Sequence, residues 1–264
     1  MSSSGSEENN LALFIDFDNI ALGLKPATKK NKFEVRLVME RLLEKGKIII
    51  KKAYADWSRY PEYKNELHGA GIEMIEIPKR HISGKNSADI RLAVDAMDLC
   101  FGKEHLDTFV IVSGDSDFSP LVSKLRENNK DVIGLGMRDS SSQLLIENCD
   151  EFIFYEDLAQ AATPSMGSLP KNKASVFGLL ASTVRALIRE NKDVLYSSMV
   201  KDTMKRKQPS FSEGSYDYST FSDLLEDARE HGIVEITRNQ KAGGTYVITG
   251  LGPKAARKSR PRKR

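Results

Sequence analysis

Three apolar, strand-like runs in this chain each end on aspartates. Leu11 to Ile15 precedes Asp16 and Asp18, Lys47 to Ala55 precedes Asp56, and Phe109 to Val112 precedes Asp115 and Asp117. In an α/β sheet, ligands bind beyond the carboxyl ends of parallel strands, so these acids are expected to converge on one edge. Like charges held that close repel each other strongly. A cation is therefore expected among them, and carboxylate and amide oxygens point to Mg²⁺ or Mn²⁺.

The rest of the first 160 residues supports such a sheet. Strand-like segments fall near 11–16, 47–55, 71–77, 108–113, 131–136 and 151–155, with helices near 33–45, 60–69, 87–101, 118–128 and 141–148 between them. That alternation predicts an α/β fold, a mostly parallel sheet covered by helices. Gly46, Gly71 and the Asn128-Asn129 pair stand where helices should stop. The strands are dense in Ile, Val and Phe with little alternation, as expected when both faces are covered.

After Tyr155 the composition changes. Residues 159–173, with Pro164, Gly167, Ser168 and Pro170, have the make-up of a linker. Beyond it, helices near 174–190, 197–206 and 219–231 precede two short strands, Ile233 to Thr237 and Thr245 to Thr249, joined by a basic, glycine-bearing turn that includes Lys241. Phe177, Leu180, Val184, Leu187 and Ile188 recur at helical spacing in the first helix; Phe221, Leu224, Leu225 and Ala228 do so in the third. Three helices and a hairpin predict a small winged helix-turn-helix. The domains expected are thus a disordered N-terminus (1–10), an α/β domain (11–158), the linker (159–173), a winged-helix domain (174–250) and a tail (251–264).

Charge is unevenly spread over the 264 residues. Seven of the forty Lys and Arg lie between Lys254 and Arg264, where there is no acid, so residues 1–253 hold 33 basic against 37 acidic residues, a net −4. A basic arm of this kind binds polyphosphate without regard to sequence, or else serves as a solvated tail. Cys100 and Cys149 have no metal-ligand spacing, which argues against a disulfide framework or a zinc site. No apolar run approaches a membrane span, and Met1 to Asn10 is polar and acidic rather than signal-like, so a soluble cytoplasmic protein is expected, with no membrane partner.

A fourth partner for the strand-end acids comes from the helix near 87–101. On a helical wheel Ile90, Ala93, Val94, Ala96, Met97, Cys100 and Phe101 fill one arc, and Asp89 lies inside it. Asp89 is therefore expected to point inward, and Asp95 and Asp98 outward with Arg91. A capping-box role three residues after Asn86 is the plainer alternative for Asp89. For Asp18, Asp56, Asp115 and Asp117 it is turn formation or helix capping.

These segments resemble a known family. Leu11 to Asn19 (LALFIDFDN), Tyr54 to Trp57 (YADW), Lys85 to Asp95 (KNSADIRLAVD), Val112 to Pro120 (VSGDSDFSP) and Gly134 to Asp139 (GLGMRD), followed by Ser141 and Ser142, look like the motifs of NYN domains of the LabA-like branch of the PIN-like nuclease superfamily. The resemblance spans roughly residues 10–158. It implies a metal-dependent ribonuclease fold in which Asp16, Asp89 and Asp115 bind metal, Asp117 and Asp56 complete the site, and Asn19 and Ser113 support it. Val194 to Val200, Pro209 to Phe211 and Tyr218 to Leu225 resemble an OST-HTH (LOTUS) domain, a winged-helix module associated with RNA. Where that family commonly has Tyr-Gly before its third helix, this chain has Tyr216-Asp217-Tyr218-Ser219.

Phosphodiester hydrolysis needs an activated water and neutralisation of the phosphoryl oxygens, which carboxylate-held metal ions supply. Substrate capture is expected from Lys85 in the basic loop 78–85 and Arg138 after the fifth strand. Trp57 and Arg59 are expected to stack a base or hold a phosphate, and Lys241 to extend the contact. Lysines and aromatics at such positions are as commonly solvated or core residues. The expected activity is an RNA-cutting hydrolase. The alternatives are a catalytically silent RNA-binding adaptor and a haloacid-dehalogenase-type phosphatase, which Ile20 disfavours because that chemistry requires Thr or Val there. Many PIN-like proteins pair, so a homodimer is possible, although no patch in the sequence marks an interface.

Overall fold

The computed structural model describes residues 9–23, 32–77, 86–161, 171–190, 194–239 and 245–256. The chain divides into two compact units, one containing residues up to Leu42 with Gly46–Ala161, the other Leu43–Lys45 with the residues beyond Ala161.

The first unit runs β1 (Asn10–Asp16), α1 (Phe17–Gly23), α2 (Val35–Leu43), β2 (Lys47–Ala55), α3 (Lys64–Gly69), β3 (Glu73–Glu76), α4 (Ser87–Gly102), β4 (Thr108–Val112), α5 (Ser119–Glu127), β5 (Asp131–Gly136), α6 (Gln143–Asn148), β6 (Glu151–Phe154) and α7 (Tyr155–Ala161). Among the described residues its sheet has six strands, all parallel, in the order β3-β2-β1-β4-β5-β6. This is the doubly wound order, in which winding reverses between β1 and β4. Leu11, Leu13 and Ile15 of β1 enter one core with α1, α2 and α7, whereas Ala12 and Phe14 enter the other with α4, α5 and α6. Period-two side chains facing two apolar layers explain why the strand sequences barely alternate.

Two helices are additional to those expected, α1 and α7, each seven residues long and starting directly from a strand end. The expected helix near 60–69 begins instead as two 3₁₀ turns, Trp57–Arg59 and Pro61–Tyr63, and becomes α-helical only at Lys64. Tyr60, with φ −129° and ψ 48°, breaks the first turn, and Pro61 supplies a fixed φ but no N–H to continue it. The helix stops were placed well: Gly71 and Asn129 take left-handed φ values of 66° and 57° after α3 and α5.

The larger revision concerns α4. Its buried residues are Ala88, Leu92, Ala96 and Cys100, whereas Ile90, Val94 and Phe101 are 63%, 58% and 66% exposed. The expected inward arc is thus rotated. Asp95 is not solvent-facing but half-buried, accepting from the Tyr54 hydroxyl at 2.9 Å and pairing with Lys52 and Arg91.

In the second unit α8 (Lys171–Arg189), β7 (Leu195–Tyr196), α9 (Ser197–Lys207), α10 (Phe221–Glu230), β8 (Val234–Asn239), β9 (Thr245–Leu251) and α11 (Pro253–Ala256) follow in order. The three strands form an antiparallel sheet, β7-β9-β8. Phe177, Leu180, Val184 and Leu187 of α8 share a core with Val200, Leu224, Leu225, Ala228 and Ile248; Ile188, expected to join them, is 45% exposed. A reciprocal capping box of Thr220 and Asp223 starts α10. Helices followed by a two-stranded hairpin make the winged-helix arrangement. Its turn, with Lys241, lies outside the described residues, as do Lys85 with its loop and the tail beyond Ala256. Among the described residues no helix is long and apolar enough to cross a membrane.

Candidate active site

Asp16 closes β1 at the reversal of sheet order. The chain leaving β1 turns toward one core through Phe17 and Ile20, and the chain leaving β4 toward the other through Phe118 and Leu121, so the two strand ends open a crevice. Asp16 is 4% exposed at its base. The Ser113 hydroxyl, fully buried just past β4, donates to its Oδ2 at 2.9 Å, and the Asn19 amide donates to its Oδ1 at 3.3 Å. Asn19 also spans the crevice, its Oδ1 accepting from the Gly114 amide at 2.9 Å.

Gly114 is fixed by close approach rather than by dihedral. A Cβ there would stand 2.8 Å from the Ser140 carbonyl oxygen and 2.9 Å from the Ser141 Cα, so the turn after β5 rests directly on this backbone. The Ser142 amide donates to the Gly114 carbonyl at 2.8 Å, and the Ser141 hydroxyl to Met137 at 2.7 Å.

Burial dominates the electrostatics of this edge. It pushes the Asp16 carboxyl up to about 7, against the Ser113 hydrogen bond, with the charges of Asp89 and Asp18 adding to the rise. Asp89, half-buried in the first turn of α4, is raised to about 6 by burial and then by the charges of Asp115, Asp117 and Asp18. Asp89 therefore links acids from three separate parts of the chain, Asp16 and Asp18 on one side and Asp115 and Asp117 on the other. Asp18, one of the strand-end acids expected to converge but not among the metal-binding residues that the family resemblance implies, joins the group from its place one residue into α1.

Several of these acids already have partners. Asp115 caps the 3₁₀ turn Ser116–Phe118 by accepting from the Asp117 amide at 3.0 Å, and Asp117 itself is exposed. Asp18 accepts from Arg59 at 2.9 Å and from the Tyr60 hydroxyl at 2.7 Å. Asp56 caps the Trp57–Arg59 turn through Ser58. In the rotamers present, no three His, Cys, Asp or Glu side chains among the described residues stand together closely enough to hold an ion. The donor chemistry nonetheless fits a hard cation: Mg²⁺ binds through one or two carboxylates, water and substrate phosphate rather than an all-protein cage. Acids whose ionisation is opposed by burial and by each other are the groups such a cation would favour in charged form.

The residues expected to capture substrate are placed differently. Trp57 is 2% exposed, packed on Phe17 at 5.2 Å between ring centroids, with its Nε1–H donating to the Ile75 carbonyl at 3.0 Å. It is a core residue and presents no face to a base, because the 3₁₀ turn folds it back under α1. Arg59 serves Asp18. Arg138 makes two 2.8 Å bonds to Asp157 and stacks on Phe154 at 4.1 Å, which ties it to α7 rather than to the crevice.

In the winged-helix unit the unusual Tyr216-Asp217 step has a clear geometry. Asp217 takes φ 65° and ψ 29°, the left-handed conformation that glycine adopts without strain.

Each half of the chain matches a known domain family. The NYN domain matches residues 10–156 and the OST-HTH/LOTUS domain residues 179–246. The uncharacterized protein MJ0482 of Methanocaldococcus jannaschii is 29% identical over 166 residues, which cover 63% of this chain and 63% of that protein, a little under two thirds of its length. The crystal structure of a protein of unknown function, VPA0982 from Vibrio parahaemolyticus, has a TM-score of 0.51 at 26% identity, covering 60% of this chain and 98% of that one. With the first match taking in more than half of its residues, the chain belongs to the NYN domain family, a PIN-like nuclease fold, and carries an OST-HTH/LOTUS domain behind it.

Proposed function

We propose that this chain is a divalent-metal-dependent ribonuclease that hydrolyses RNA phosphodiester bonds, with the winged-helix domain and the basic tail recruiting the strand. One observation carries the reading: a buried aspartate at the switch point of a doubly wound sheet, hydrogen-bonded to Ser113 past the neighbouring strand, lies within electrostatic reach of Asp89, which in turn feels Asp115 and Asp117. Asp16 and Asp89, with Asp115 and Asp117, are the residues that would hold the ion. Once bound, Mg²⁺ or Mn²⁺ would acidify a coordinated water and neutralise charge on the phosphoryl oxygens.

The protein's own part is orientation. Ser113 and the Asn19 amide each take one position on Asp16, and a carboxylate offers about four, so acceptor capacity remains for a cation. The Asn19–Gly114 bond holds the two strand ends at a fixed spacing, which a site shared between them requires. Arg59, paired with Asp18, keeps a positive charge near the acids for a phosphate to meet.

The test is cleavage of labelled single-stranded and hairpin RNA by the full chain with Mg²⁺ or Mn²⁺. Metal-stimulated product that falls by about a hundredfold or more in Asp16→Asn supports the reading. Equal product from both proteins removes the catalytic assignment, and tight RNA binding with no metal-stimulated product at all replaces it with a binding-only role.

A further inference from the structure

Beside the acidic edge lies a groove of about 660 Å³, between the start of α4, the Ser116–Phe118 turn and the starts of α5 and α6. Ile90 and Leu144, 63% and 55% exposed, line it together with Ala93 and Pro120. Ser119 also lines it; the residue is 6% exposed, and its hydroxyl has no hydrogen-bond partner among the described residues. Asp89 and Asp117 belong both to this lining and to the acidic group.

We propose that this groove receives an unstacked base of the RNA strand, from a nucleotide flanking the phosphate at the acidic edge. The proposal deepens the ribonuclease reading and rests on it for where the phosphate lies. Three features select a base. The volume lies within the range of small-ligand sites, roughly 300–1,000 Å³, and is ample for one planar ring system. Its apolar walls suit ring faces, while Ser119 and Asn86 offer hydroxyl and amide groups of the kind that bond base edges in single-strand recognition. Sharing Asp89 and Asp117 with the acidic edge ties the occupant to the phosphate next to it, which a free apolar peptide would not explain.

The buried hydroxyl is the independent sign of a ligand. A polar atom shut away without a partner destabilises the folded chain, and a serine rotor can turn toward an incoming donor or acceptor. Ile90 and Leu144 likewise place large apolar side chains in water beside the groove, and a base over them would remove both from solvent.

The experiment is equilibrium binding of the full chain, in chelator so that no strand is cut, to a short labelled single-stranded RNA and to an abasic strand of equal length. The wild type should bind the base-bearing strand about tenfold more tightly or better. Ile90→Ser with Leu144→Ser, both at exposed positions, should erase most of that difference while leaving abasic binding and Trp57 fluorescence unchanged. Ser119→Ala should weaken RNA binding about three- to tenfold without lowering stability, because its hydroxyl has no hydrogen-bond partner among the described residues. Equal wild-type affinity for the two strands, or variants that weaken both alike, overturns the base subsite. Metal-stimulated cleavage and its loss in Asp16→Asn are measured separately, so the nuclease reading can fail while the base preference stands, and the reverse.

Discussion

Replacing Asp16 by asparagine should stabilise the NYN domain, and should do so more as pH rises. In the folded protein burial holds this carboxyl up at about 7, whereas an unfolded chain titrates near 3.9. A raised acid favours the folded state below its unfolded pKa, and that contribution is lost as pH climbs through the folded one. Between about pH 5 and pH 8 the loss amounts to about 2.5 kcal/mol, or roughly half that if the surroundings relax around the charge. Asparagine does not titrate, and its geometry is compatible: its carbonyl can accept from the Asn19 amide while the Ser113 hydroxyl turns to accept from its NH₂. The variant's advantage over wild type should therefore grow by about 1–2.5 kcal/mol across that interval. Urea unfolding in chelator, followed by fluorescence, measures it. Trp57 is the only tryptophan in the chain and lies against Phe17, next to Asp16, so the signal reports this domain alone. Groups that do not interact with Asp16 titrate identically in both proteins and cancel in the difference, and the range of about 1–2.5 kcal/mol takes in the coupling to Asp89 and Asp18. An advantage that stays flat within about 0.5 kcal/mol from pH 5 to pH 8 would show that Asp16 is not held in the strained state described here.

Because an ion in the site favours the charged acids, Mg²⁺ should raise the unfolding midpoint of the wild type more at pH 8 than at pH 5, and scarcely move Asp16→Asn; equal shifts in both would place the ion elsewhere. Trp57→Phe should lower stability by about 1–3 kcal/mol, through the lost Ile75 hydrogen bond and packing, yet leave RNA affinity untouched, as circular dichroism and a binding titration would show. Asp217→Gly should stabilise the winged-helix unit by up to about 1 kcal/mol by relieving a left-handed residue, readable as a rise in its thermal midpoint. Removing residues 257–264 takes away six positive charges, so the slope of log affinity for single-stranded RNA against log salt should fall by up to about 4; an unchanged slope would mean that the tail makes no phosphate contacts.

The difference between what was legible and what was not follows from the range of the forces involved. Strand ends were legible because a run such as Leu11 to Ile15 can be buried on both faces only in the middle of a covered sheet, and the polar residue that follows must then emerge at its edge. The aspartates inherit their position from that constraint, and so does Ser113. The 3₁₀ turns after β2 gave no comparable signal. Whether Trp57 leans outward over a crevice or folds back onto Phe17 depends on Tyr60 and Pro61, and on a hydrogen bond to Ile75 in the neighbouring strand. Arg59 and Arg138 were equally open. A long cation reaches several acids, and only the finished geometry selects Asp18 for one and Asp157 for the other.

Helix α4 was misread for a reason that bears on function. A helical wheel assumes that the most apolar arc faces the core, which holds when a helix has only one apolar face. Here the fully buried stripe is Ala88, Leu92, Ala96 and Cys100, mostly small side chains that let the helix sit against β1 and β2, with Met97 and Leu99 packing partly buried beside it. The bulkier Ile90, Val94 and Phe101 are left to solvent. Rotating the helix to bury them would push it off the sheet and carry Asp89 away from Asp115 and Asp117. Close packing by small residues therefore does two things at once: it holds Asp89 at the acidic edge and turns Ile90 toward the groove beside it. A substitution that enlarges the inner stripe, Ala96→Leu, should break both together, lowering metal-stimulated cleavage and the preference for base-bearing RNA in parallel. Loss of only one of them would mean that the two sites do not depend on the same helix placement.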